Sequence, residues 1–302
     1  MPSPCAHATP CDAVEVHAPA KINRTLRIFG RRDDGFHELE SEFVAVSLFD
    51  TLRVERLPPG DGERVTLEVD GPTAAGVPAD DSNLVAKAVA EVCRRTDATD
   101  RFRVRLRKRI PNQAGLGGGS SDAAAALWAA NRLLGSPLPH ATLHAIAASL
   151  GSDLNFFLAG TPRAMCRGRG ERVERLPPRP LFATIAKPSL GLSTGAIFAA
   201  YHDPDVTPAG RNDLQAAAEH VSPPLRDWRR TLEAATAPSQ TPSAQWTMSG
   251  SGSAYVCEAA THAAASRLTA RLRGRGFDAW TVSAAVAQVG VIADGVSAAE
   301  HA

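Results

Sequence analysis

The stretch PNQAGLGGGSSDAAAAL, residues 111–127, puts glycines at 115, 117, 118 and 119 directly before an Ala/Leu-rich run. Glycine removes side chains from a turn, so backbone N–H groups can converge on an anion where the dipole of the following helix also favours negative charge. A phosphate fits that description. Ser120 and Ser121 add hydroxyl donors and are placed to cap the helix, with Asp122 in its first turn. The loop lacks the Gly-Lys-Ser/Thr of a Walker sequence, and the dinucleotide pattern fails because Ser120 stands where its last glycine belongs. The protein-kinase signatures HRD and DFG are absent as well.

Just upstream, RFRVRLRKRI (101–110) alternates Phe102, Val104, Leu106 and Ile110 with arginines, the pattern of a half-buried strand. Its basic side reads as a solvated outer face rather than an RNA stripe, since few aromatic residues interleave. Downstream, the helix stops at Gly135 before Pro137 and Pro139, and ATLHAIAASL forms a second helix ending at Gly151. Further out, residues 13–70 read as strands (AVEVHA, TLRIF, FVAVSLFDTLRVERL, RVTLEV), with the polar GRRDDGFHELES (30–41) as a surface loop. From Ser82, an N-cap candidate, NLVAKAVAEVCRR has helical spacing. The Arg-, Gly- and Pro-rich 161–180 is a candidate boundary between lobes at 1–170 and 171–302. The second lobe alternates strands and helices. It contains LFATIA, helices near 194–202, 212–221 and 223–236, a polar loop at 238–243, the strand-turn-strand QWTMSGSGSAYVCE, the helix ASRLTARLRGRG and the strand DAWTVSAAV. The tail after Ala287 reads as poorly anchored. The class is α+β.

With 302 residues, 44% of them hydrophobic and 22% charged, the chain is an ordinary globular protein that can build two lobes around a crevice. A net charge of +1 does not advertise a polyanionic partner, so no nucleic acid is expected and affinity for phosphate must be local. Cys5, Cys11, Cys93, Cys166 and Cys257 are odd in number and scattered, which points to a reducing cytoplasm. No run approaches the length of a membrane span and no export signal opens the chain. His140 and His144 are spaced i, i+4 on a helix but lack the glutamate of a metalloprotease pair. Of the 33 basic residues only Lys21, Lys87, Lys108 and Lys187 are lysines, and a retained ammonium is mildly informative.

GLGGGSSDAAA closely resembles the phosphate loop of the galactokinase, homoserine kinase, mevalonate kinase and phosphomevalonate kinase (GHMP) superfamily, and within it the diphosphocytidyl-methylerythritol kinase branch. APAKINRTLRIFGRRDDGFHELES (18–41), LGSDLNFFLAG (150–160) and MSGSGSAYVCE (248–258) resemble that branch's other motifs, in the same order. The resemblance implies a two-lobed α+β kinase with a ribosomal-protein-like N-terminal lobe and a ferredoxin-like C-terminal lobe, ATP and the acceptor meeting between them. By the same resemblance, Asp153 takes the proton from the attacking hydroxyl and Lys21 keeps that carboxylate charged and steadies the alkoxide. ATP falls to Pro111, Ala114, Gly115, Leu116, Gly117, Gly118, Gly119, Ser120 and Ser121, with Asn83 and Lys108 on the nucleotide side. The acceptor falls to Asn23, Phe36, His37, Thr194 and Phe198, with Asp153. ATP brings Mg²⁺, for which Ser121 is a candidate ligand. Phe36 replaces a usual Tyr, Asn155 a usual Pro, and INRTL a more apolar run.

The implied reaction is phosphorylation of the 2-hydroxyl of a cytidine-diphosphate-linked methylerythritol in isoprenoid-precursor synthesis, in the cytoplasm, with small-molecule partners and a homodimer left open. Rival readings are a kinase for another small alcohol, of mevalonate or homoserine type, or an RNA-binding protein. GRRDDGFHELES and the aromatic pair speak against the first, and the near-neutral charge against the second.

Overall fold

The structure, a computed structural model, describes residues 12–236, 245–285 and 291–292. Cys5, Cys11, the polar segment 238–243 and all of the tail after Ala287 except 291–292 lie outside the described residues. The first lobe is built on two long strands, β1 (Ala13–Arg31) and β2 (His37–Leu57), antiparallel from Ala13↔Glu55 to Arg31↔His37. Most of the stretch read as a loop at 30–41 is therefore strand, and only residues 32–36 turn. Its polar composition misled because Glu38 and Glu40 pair with arginines of a neighbouring hairpin, Glu40 with Arg167 at 2.8 Å and Glu38 with Arg172. Irregularities at Pro19/Ala20, Asn23/Thr25 and Ile28/Gly30 bend β1, and Pro19 is tolerated at one of them.

The chain continues through β3 (Val65–Asp70), α1 (Leu84–Thr96), β4 (Arg101–Arg107), α2 (Gly118–Leu133), α3 (His140–Leu150) and the short α4 (Leu154–Leu158). Asn83, not Ser82, caps α1, accepting from Val85 N at 2.9 Å. The first lobe closes with β5 (Arg163–Gly168) and β6 (Arg172–Arg175), a hairpin paired to β2. Much of the Arg/Gly/Pro-rich stretch is thus sheet, its arginines matched to glutamates on β2 and β6. The basic face of β4 is matched likewise, Arg103 to Glu55 and Arg105 to Glu68, each at 3.3 Å.

The second lobe contains β7 (Phe182–Lys187), α5 (Thr194–Ala200), α6 (Leu214–Val221), α7 (Pro223–Thr236), β8 (Thr247–Met248), β9 (Tyr255–Ala259), α8 (His262–Arg273) and β10 (Asp278–Ser283). Its sheet runs β10-β7-β9-β8. β11 (Val291–Ile292) then returns to the first sheet beside Glu15 and Val16, so the tail is tied there by backbone pairing. The first sheet runs β11-β1-β2-β4-β3, with β5 and β6 branching from β2.

Three apolar clusters follow from this layering. One packs α1 to α4 against the first sheet, where Ala123 to Ala126 let α2 approach closely. A second lies between the helices and sheet of the second lobe, around Leu214, Leu225, Leu232 and Tyr255. The third joins the lobes, with Ala20, Ile22, Val44 and Val46 against Ala183, Ile185, Ala254 and Val256. Burial on both sides therefore covers the middle of β1, and this seam contains the candidate site. Among the described residues no helix is long and apolar enough to cross a membrane.

Candidate active site

Strand alternation sends Lys21 and Asn23 to the same side of β1, opposite Ala20 and Ile22. Lys21 is 3% exposed. Its ammonium donates to Asn23 Oδ1 at 2.6 Å and to the Gly115 carbonyl at 3.0 Å, and lies 3.3 Å from Asp153 Oδ2. The ring of Phe43 covers it at 4.7 Å. A buried ammonium is tolerable only when its donors are occupied, and here three oxygens do so. Asn23 is fixed in turn by donating to Ser41 Oγ at 2.7 Å.

The phosphate loop meets this cluster through glycines of different kinds. Gly115 has φ +70°, and an added Cβ would lie 2.0 Å from the Ser249 carbonyl, so the second lobe presses directly on it. At Gly117, also φ +70°, a Cβ would sit 3.0 Å from Lys21 Cγ and 3.1 Å from Phe157 Cζ. At Gly118 it would lie 3.0 Å from Ile110 Cγ2. A Cβ at Gly119 meets nothing within 4 Å, so no neighbour in the fold excludes a side chain there.

The expected serine cap is not made. Gly117 occupies the cap position without a side-chain bond, because the helix starts at Gly118 and places Ser120 and Ser121 inside it. Ser121 Oγ is buried with no hydrogen-bond partner, and so is Asp122 Oδ1. The other Asp122 oxygen is 2.6 Å from Lys108 Nζ, which also pairs with Asp50. Burial, with Asp50 as a like-charged neighbour, pushes the Asp122 carboxyl up to about 8. Burial disfavours the Lys108 ammonium, but the two carboxylates outweigh it and raise its pKa. Asp50 also accepts from the backbone of Arg109 and Ile110, fixing the strand end that leads into Pro111. Lys108 is thus held under the loop with both carboxylates, and the Asn83 side chain is engaged in capping α1 and bonding Pro78 O.

Two adjoining cavities share this cleft, and Lys21 lines the smaller. One, of about 290 Å³, is lined by Lys21, Asn23, Gly115, Gly117, Asp153 and Thr194 together with the Gly250–Gly252 turn. The other, of about 730 Å³, is lined by Phe36, His37, Phe198 and His202, among others. The structure therefore gathers Lys21, Asn23, Asp153, Gly115 and Gly117 at one point, and Phe36, His37 and Phe198 at another. Thr194 lines both, its hydroxyl 2.8 Å from Ser251 Oγ. His37 stacks on Phe198 with the centroids 4.9 Å apart, and meets His202 end to end, its Nε2 2.7 Å from that of His202. Burial, His202 and Arg31 lower the His37 pKa, favouring the neutral ring. Phe36 is 48% exposed and lies under the Arg169 guanidinium. Pro111 lines a third cavity of about 860 Å³, with Thr73, Arg109, Gln113 and Lys187.

Sequence reasoning missed several participants. Ser249 Oγ donates to Gly115 O at 3.0 Å and accepts from Asn23 N at 3.2 Å, and Asn212 holds the same turn by donating to Met248 O and Gly250 O. The MSGSGS motif signalled that turn without assigning its residues. Arg169 and His202 carried no motif at all. Asn155 links His144 Nδ1 at 3.0 Å to Glu171 O at 3.2 Å, tying α3 to the β5–β6 turn.

Residues 83–161 match the family described as GHMP kinases N terminal domain. A Paramagnetospirillum magneticum protein named 4-diphosphocytidyl-2-C-methyl-D-erythritol kinase is 37% identical over 293 residues, covering 89% of this chain and 97% of that one. A Polaromonas protein of the same name is 39% identical over 253 residues, 75% of this chain and 81% of that one. A crystal structure of 4-(cytidine 5'-diphospho)-2C-methyl-D-erythritol kinase superposes with TM-score 0.71 at 32% identity, covering 89% of this chain and 98% of the other. The two-lobed GHMP architecture expected from the sequence is thus the one observed.

Proposed function

The chain belongs to the 4-diphosphocytidyl-2-C-methyl-D-erythritol kinase family, and from that premise we propose that Lys21, Asp153 and the 111–121 loop carry phosphoryl transfer from ATP to the acceptor's 2-hydroxyl. The protein is a small-molecule kinase of the non-mevalonate isoprenoid route. One observation carries the assignment of residues: a single ammonium reaches the phosphate loop, at Gly115 O, and the Asp153 carboxylate together.

In this reading the acceptor hydroxyl gives its proton to Asp153 as its oxygen bonds to the γ-phosphorus, and the bond from that phosphorus to the β–γ bridging oxygen breaks to leave ADP. Such transfers need positioning and charge neutralisation more than covalent chemistry. Lys21 supplies a fixed positive charge beside the developing alkoxide, and the backbone N–H groups at the start of α2 face the phosphates. Neutral His37 reads the edge of the cytosine, with Phe36 and Phe198 as stacking faces. The donor set also fits a hard cation, because Ser121 Oγ is a buried oxygen without a partner. Ser121 would hold Mg²⁺, which when bound supplies charge neutralisation on the phosphates. The unpaired, buried thiols of Cys93, Cys166 and Cys257 support a cytoplasmic location. The test is incubation with ATP, Mg²⁺ and the cytidyl acceptor: ADP and a phosphorylated acceptor are expected in equal amounts, and folded protein that yields neither overturns the reading.

A further inference from the structure

Five residues line both cavities of the acceptor side: Leu39, Ser152, Arg169, Thr194 and Phe198. Only Arg169 among them is charged. It stands at the seam between the aromatic pocket and the Lys21–Asp153 pair, and among the described residues no carboxylate lies within 4.0 Å of its guanidinium nitrogens. Asp34 is in electrostatic range but makes its own ion pair with Arg32 at 3.1 Å. One Arg169 N–H is used on Ala148 O at 3.1 Å, and the guanidinium plane lies 4.7 Å over Phe36. A guanidinium has five N–H donors, so most remain for a ligand.

The backbone around it is held. Arg169 lies between Gly168 (φ +75°) and Gly170 (φ +119°), and its own N–H donates to the Glu171 carboxylate at 2.6 Å. Asn155, two residues beyond Asp153, donates to Glu171 O and so anchors this turn to the element carrying the candidate base. A half-buried cation with no ion-pair partner among the described residues, held by a fixed turn, is a site waiting for an anion.

We propose that Arg169 binds the diphosphate of the acceptor, bridging the base pocket and the phosphoryl-transfer point while packing on the aromatic floor. The inference rests on the cytidyl reading above: a base stacked near Phe36 and Phe198 with its alcohol at Asp153 must pass its diphosphate across this seam. Planar, bidentate donors suit that group better than an ammonium.

The test compares cytidine with cytidine 5'-diphosphate on wild-type protein, Arg169→Ala and Arg169→Lys by calorimetric or ligand-detected NMR titration, with thermal melting to verify folding. Arg169→Ala is expected to weaken the diphosphate by about 10- to 100-fold, the range of a charge-assisted contact, and cytidine by no more than about 3-fold. Arg169→Lys should recover part of the loss. In turnover the KM for the acceptor should rise with the KM for ATP unchanged. Equal losses for both ligands would make Arg169 only a cover for Phe36 and overturn the inference, as would no loss for either. Wild-type protein that binds neither ligand would overturn the cytidyl reading and this inference with it.

Discussion

Gly117→Ala tests whether the phosphate loop and the candidate catalytic pair are one mechanical unit. Gly117 has φ +70°, where a non-glycine residue costs about 1–2 kcal/mol. The new methyl would stand 3.0 Å from Lys21 Cγ, 3.1 Å from Lys21 Cε and 3.1 Å from Phe157 Cζ. Carbon atoms settle near ~3.5–4.0 Å, so one neighbour must retreat by about 0.5–1 Å. Phe157 is 1% exposed and packed in the core. Lys21 is the side chain that yields, and its ammonium leaves the position that now holds Asn23 Oδ1, Gly115 O and Asp153. A displacement near ~1 Å at the reacting centre costs about 10²-fold in rate. Turnover, followed as ADP release at saturating substrates, should therefore fall about 100-fold while the melting temperature drops only about 2–8 °C. The control is Gly119→Ala, whose methyl meets no atom within 4 Å. It should melt at or slightly above the wild-type temperature, since alanine favours a helix by up to ~1 kcal/mol. Folded Gly117→Ala with normal turnover would refute the coupling of loop to lysine.

Asp153→Asn keeps the shape of the candidate base but removes its proton-accepting charge, so kcat should fall by about 10²-fold or more with acceptor binding retained; near-normal turnover by clean enzyme removes Asp153 from the mechanism. Phe36→Ala should weaken the cytidyl acceptor roughly 5- to 100-fold, for a stacking face worth ~1–3 kcal/mol, and leave an ATP analogue unaffected in a parallel titration; equal loss of both would mean collapse of the cleft. The Asp122 carboxyl, pushed up to about 8 by burial from an ordinary 3.8, gives stability that is complete below pH 3.8 and is lost as pH rises through 8. Asp122→Asn, which mimics the protonated carboxyl, should flatten the melting-temperature profile across pH 5–9, and superimposable profiles would show that the group does not titrate there.

The phosphate loop was legible because its chemistry is local. Glycines before an alanine-rich helix specify a backbone turn and a helix N-terminus within one stretch of chain, whatever surrounds them. The alternation of 101–107 and the spacing of α1 were legible for the same reason, since hydrophobic periodicity is a local consequence of a buried face. By contrast, 30–41 and 161–180 look like loops because their polar residues are satisfied across strands by partners more than 100 positions away, as Arg163 and Arg167 are by Glu42 and Glu40. The expected serine cap failed by a few residues: the helix begins at Gly118, and nothing in the local sequence says whether a serine there faces the helix end or the core.

Lys21 and Asp153 could be paired from sequence only by resemblance, because they lie 132 positions apart and meet because α2 packs against both β1 and α4. Pairwise chemistry between distant residues has no signature in spacing. The same holds for Ser249, which contacts Asn23 across 226 positions, and for Asn212, which fixes the turn that closes the cleft. Arg169 is the extreme case. Its neighbours in sequence are glycines and arginines that read as a linker, and only the fold sets it between two cavities with no ion-pair partner among the described residues. Local order follows from short-range sterics and hydrogen bonding, whereas a site is defined by which distant surfaces the hydrophobic core draws together, and that is a property of the whole chain.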